Sequence, residues 1–176
     1  APPSVERAQA AIVPPAYAAG SVDPRTVDLG NGTDRRATVS PPVLAGSEIT
    51  LDLRMQGATP APLADAEQAA WLARTIAVRA DAGTAIVPTF AADPADPAHW
   101  RFTWRAAGRG IVELTPAGER GIQPADRIAF EVPAIEDAPR TIAITEPAAD
   151  EAVTPDATPL VVVEGRADLQ IGRAHV

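Results

Sequence analysis

From Glu48 to Met55 the chain alternates without a break: Ile49, Leu51, Leu53 and Met55 occupy every second position, and Glu48, Thr50, Asp52 and Arg54 fill the others. A period of two sends the apolar side chains to one face of an extended chain, so the stretch predicts a half-buried strand. The same rhythm returns where Trp100, Phe102 and Trp104 interleave with His99, Arg101, Thr103 and Arg105. It returns again over Arg127 to Val132, with Ile128, Phe130 and Val132 inward. Shorter strands are predicted around Ile76 and Val78, over Ala85 to Phe90 and over Ile111 to Thr115. Pro88 predicts an edge position, because proline cannot donate to a ladder. The breaks between these runs are turn-formers: Asp93-Pro94 and Asp96-Pro97 within a loop from Ala92 to Ala98, then Gly108-Arg109-Gly110.

Two stretches predict helix instead. In Ser4 to Val13, Val5-Glu6-Arg7-Ala8-Gln9-Ala10-Ala11-Ile12 follows Ser4 as a candidate N-cap and precedes Pro14-Pro15 as a stop. In Leu63 to Ala73, Asp65 and Gln68 form a capping box ahead of Ala69-Ala70-Trp71-Leu72. Ala16 to Arg36 is turn-rich, with Gly30-Asn31-Gly32 as a hairpin tip. Some seven short strands punctuated by turns predict an all-β fold, an antiparallel β-sandwich with a short helical insertion, in preference to an α/β arrangement.

Composition agrees. A hydrophobic fraction of 46% supplies a core, and 19 prolines favour short strands joined by loops. The net charge is −8, and all 15 basic residues are Arg, scattered along the chain. An acidic chain with dispersed cations lacks the basic stripe that nucleic acid requires. The Arg-, Ala- and Pro-rich usage is the signature of GC-rich codons. No apolar run is long enough to form a membrane-spanning helix. There is no Cys, which excludes disulfides and thiolate metal sites.

Pro42-Val43-Leu44-Ala45-Gly46-Ser47-Glu48-Ile49-Thr50-Leu51-Asp52-Leu53 resembles the opening of bacterial immunoglobulin-like (Ig-like) repeat modules. In those modules a proline-bearing first strand turns at a glycine into an alternating second strand. Gly46 can supply the positive φ of that turn. A second stretch is similar to the start of another such module: Ile144-Thr145-Glu146-Pro147, Ala152-Val153-Thr154 and Pro159-Leu160-Val161-Val162-Val163-Glu164-Gly165-Arg166-Ala167-Asp168. Asp150 stands where the family often has glycine. The resemblance covers residues 38–132 loosely and 140–169 more tightly. It departs from the family at the Asp65 helical insertion and near Val112, where a late-strand tyrosine is absent. The organisation it implies is an N-terminal segment or linker over 1–37 and an Ig-like β-sandwich over 38–134. A partial second Ig-like module over 141–170 and a tail over 171–176 complete it. The tail, Ile171-Gly172-Arg173-Ala174-His175-Val176, resembles a translated sequencing adapter, and with the initial Ala1 it suggests a fragment of a longer chain.

Candidate chemistry is sparse. His99 lies on the polar face of its strand, where solvation is the simplest account, and His175 falls in the adapter-like tail. All four serines (Ser4, Ser21, Ser40, Ser47) precede Glu48, and none sits in a Gly-x-Ser-x-Gly elbow. Without Lys or Cys there is no Ser–Lys pair and no thiol nucleophile. Asp93 with Asp96, Glu136 with Asp137, and Asp150 with Glu151 offer oxygen ligands, but none has the density of an EF-hand loop. Asn31-Gly32-Thr33 fits a glycosylation sequon and equally a turn. Trp100 and Trp104 could stack on a sugar ring, yet aromatics are only 4% of the chain, and a fold spends its few large rings inside first. No catalytic, cofactor-binding or metal-ligating residue is therefore assigned. The expectation is a non-catalytic spacer of a bacterial secreted or cell-surface adhesion-type protein, located outside the cell or in its envelope. Its partners would be neighbouring Ig-like modules and a surface glycan or protein. The alternative is an accessory carbohydrate- or protein-binding module of a secreted hydrolase, and a third reading is an intracellular or phage-particle decoration domain.

Overall fold

The computed structural model describes residues 2–31, 37–58, 65–80, 83–118, 128–137, 141–146 and 161–166. It divides into two compact units, Ala1–Glu136 and Asp137–Val176.

The first unit is an all-β sandwich. One sheet is built from β1 (Ser4–Val13), β2 (Arg25–Gly30), β5 (Glu48–Gln56), β8 (Thr89–Asp93) and β9 (Asp96–Arg105), in the order β2-β1-β5-β9-β8. The other contains β3 (Ala37–Thr38), β4 (Val43–Leu44), β6 (Ile76–Arg79), β7 (Ala85–Ile86), β10 (Arg109–Leu114) and β11 (Ile128–Ile135). Its order is β3-β11-β10-β6-β7, and β4 also pairs with β11. Pairing is antiparallel throughout, except that β3 and β4 run parallel to β11.

The alternating strands behave as their pattern predicts. Ile49, Leu51, Leu53 and Met55 are buried, as are Trp100, Phe102 and Trp104 opposite them in the β5–β9 register. Ile128, Phe130 and Val132 of β11 and Val112 and Leu114 of β10 contribute to the same core cluster. Gly46 adopts φ 84° at the turn into β5, as the sequence anticipates. The helical insertion is α1 (Asp65–Thr75), and its Trp71 enters the core. The side chain of Asp65, on which the capping box rests, lies outside the described residues.

Three expectations are corrected. Ser4–Val13 is a strand, not a helix, and it lies between β2 and β5 rather than in a linker. Val5, Ala8 and Ile12 mimic a helical stripe because a register shift between Val5 and Arg7 changes which face the odd and even positions occupy. Beyond the shift, Ala8, Ala10 and Ile12 alternate inward in the ordinary way, and Ser4 pairs with Gln56 instead of capping anything. The predicted strand from Ala85 to Phe90 is two strands, divided at Val87-Pro88 as the chain leaves the edge of one sheet and joins the edge of the other. The predicted loop from Ala92 to Ala98 shrinks to a tight turn at Pro94-Ala95, with β8 and β9 running up to it.

In the second unit β12 (Thr141–Glu146) pairs antiparallel with β13 (Val162–Arg166), Ile144 opposite Val163. Ile142, Ile144 and Val163 are exposed. The other second-module positions, including Asp150, Glu151 and Pro159, and the tail over 171–176 lie outside the described residues, as do Gly32 and Thr33 of the sequon.

Candidate functional site

The aromatic stripe is spent on the core. Trp100 is 1% exposed, Phe102 0% and Trp104 5%, so none of these rings offers a face to a sugar. Trp71 stands edge-on to Trp100 with ring centroids 4.9 Å apart and lies 4.8 Å from Phe90. Trp100 Nε1 donates to the Pro97 carbonyl at 2.9 Å, so its one polar atom is satisfied within the fold.

Polar chemistry gathers on the opposite, outward face of the same sheet. The β5–β9 register places Asp52 across from Arg101 and Arg54 across from His99. His99 Nε2 donates to Asp52 Oδ1 at 2.6 Å, while Arg101 Nε lies 3.6 Å from Asp52 Oδ2. His99 is therefore half-buried and held by a carboxylate, rather than simply solvated. Next to it Arg54 bridges Glu6 of β1 and Asp96 of β9, each at 3.1 Å. Thr50 and Thr103 share a hydrogen bond of 3.2 Å on the same face. The result is a cross-strand ladder of alternating charge spanning three strands.

Beside His99 and Arg101 is a shallow depression of about 260 Å³, closed by Ala91, Ala92, Asp93 and Pro94. A histidine oriented by a carboxylate is the base-and-orienter half of a nucleophilic site. Among the described residues that line this depression there is no hydroxyl or thiol that the histidine could activate. What the arrangement offers is an imidazole and a guanidinium beside each other, both held by the Asp52 carboxylate.

The loop acids have local work. Asp93 Oδ1 accepts from the Ala95 amide at 2.9 Å, and Asp96 Oδ1 from the Ala98 amide at 3.3 Å, so both stabilise the β8–β9 turn. Among the described residues no three His, Asp or Glu side chains gather as a metal cluster. Of the serines, Ser47 is buried at the turn into β5, where its amide donates to the Leu44 carbonyl.

Sequence reasoning placed His99 and Arg101 on the polar face of one strand but took His99 as solvated, and it missed Asp52 as their partner. The signal was present: all three lie on the polar faces of two alternating strands. What was missing was the knowledge that those strands are neighbours, and in which register. Comparison with protein-family models, with curated proteins and with solved structures returns no match for this chain.

Proposed function

We propose that this chain is a non-catalytic spacer region of tandem Ig-like modules within a longer bacterial secreted or cell-surface protein. The observation that carries this reading is the succession of two compact β units along one chain, the first ending at Glu136. Strand order supports the Ig-like assignment. β5, β9 and β8 follow the order of the B, E and D strands, with β1 in the place of A, and β11, β10 and β6 follow G, F and C. β7 then takes the extra edge position beside C. A sandwich with its large rings inside is suited to holding a neighbouring domain at a distance. Such a region works outside the cell or in its envelope, beside further modules of the same protein.

The alternative, an accessory carbohydrate-binding module of a secreted hydrolase, would need a surface other than the buried Trp100 and Trp104. Affinity electrophoresis through gels containing soluble polysaccharides separates the two. A spacer migrates unretarded, and a display experiment with the chain inserted between a cell anchor and an epitope moves the epitope outward. Retardation by a polysaccharide would replace the spacer reading with the accessory-module one.

A further inference from the structure

At the β7 edge of the second sheet the sandwich is open. Helix α1 turns Trp71 and Thr75 inward, but Ala69, Leu72 and Ala73 form a second stripe on another side of it. Their spacing, three and four residues apart, places them on one helix face. That stripe borders a groove of about 370 Å³, walled on the sheet side by Ile86, Val87 and Pro88. The volume falls in the range of small-molecule sites, roughly 300–1,000 Å³. Two alanines on the helix leave the space that larger residues would fill. Val87 is 88% exposed, more than any other large hydrophobic residue among those described.

A second feature adjoins it. A smaller depression of about 140 Å³ shares Ala73, Ile76, Ala77 and Arg79 with the groove, but its own walls are polar: Arg74, Thr75, Glu113 and Thr115. Among the described residues its lining carries two guanidiniums, Arg74 and Arg79, beside the Glu113 carboxylate. Arg74 Nε donates to the Ala70 carbonyl of its own helix. Arg79 has no ion-pair partner among the described residues. An apolar groove opening onto two arginines complements a molecule with an apolar body and a single negative charge.

We propose that the paired cavity binds a small apolar monocarboxylate, its body against Leu72, Ile86, Val87 and Pro88 and its carboxylate at Arg79 and Arg74. This is independent of the spacer reading, which concerns the chain as a whole. Octanoate and octan-1-ol titrated into the intact chain, followed by methyl NMR shifts of Leu72, Ile86 and Val87, test it. Octanoate should bind more tightly than the alcohol. Arg79→Gln, at an exposed position, should weaken octanoate by about tenfold, the loss of one charge-assisted contact, and leave octanol unchanged. Ala73→Trp, also at an exposed position, should fill the groove and abolish both. Any of four results overturns the proposal: no methyl shift with octanoate, equal affinity for acid and alcohol, unchanged binding in Ala73→Trp, or sedimentation showing that a second copy of the chain covers the groove.

Discussion

At the scale of single residues, the constraints that matter are those of close approach and of polar partnering. Gly110 pairs with Val132 across β10 and β11, and a Cβ built there would stand 2.9 Å from the Val132 carbonyl oxygen. That atom belongs to the backbone of a central strand and cannot rotate away. Gly110→Ala should therefore destabilise the sandwich by roughly 1–3 kcal/mol, the usual cost of overpacking, read as a lower midpoint in urea denaturation with unchanged slope. The outward-facing ladder is a different case. His99 and Asp52 are 2.6 Å apart, but their side chains are 29% and 37% exposed, so solvent competes for both. A double-mutant cycle on His99→Ala and Asp52→Ala should give a coupling of about 1 kcal/mol or less, shrinking as salt is added. A coupling of several kcal/mol would mean the pair is far better shielded than its exposure indicates. Both residue types were visible in the sequence; their partnership was not, because it depends on which strands are neighbours.

At the scale of elements, β1 is the instructive case. Its apolar positions fit a helix as well as a strand until the register shift after Val5 is known, and local pattern alone does not choose between them. Tertiary pairing chooses: β1 is flanked by β2 on one side and β5 on the other, and those two ladders satisfy its backbone. Ala10 is 0% exposed in this setting. Ala10→Asp should thus cost about 3 kcal/mol or more through an uncompensated buried charge, measured by thermal or urea unfolding. In a solvated N-terminal helix the same change would be nearly silent. The clearly alternating strands, β5, β9 and β11, were legible because a half-buried strand between two pairing partners reproduces its burial directly as sequence period. Pro88 likewise marked a real boundary, since its missing donor is tolerated where the chain passes between two sheet edges.

At the scale of the whole molecule, the division after Glu136 predicts that the first unit contains everything its core requires. A chain ending at residue 136 should unfold cooperatively with the same midpoint as the sandwich signal in the longer chain, tracked by the near-ultraviolet circular dichroism of the buried tryptophans. Loss of cooperativity on truncation would show that the two units share a core. The all-β class, the inward faces of the long strands, the helical insertion near Trp71 and the positive-φ turn at Gly46 were determined by the sequence itself. Each rests on interactions between near neighbours along the chain, so period and turn chemistry express them. Strand order, the entry of β1 into the first sheet, the meeting of Asp52 with His99 and the apolar groove opening onto Arg79 were decided only by the tertiary structure. They join residues tens of positions apart, and their energies arise from burial and pairing that no local stretch encodes.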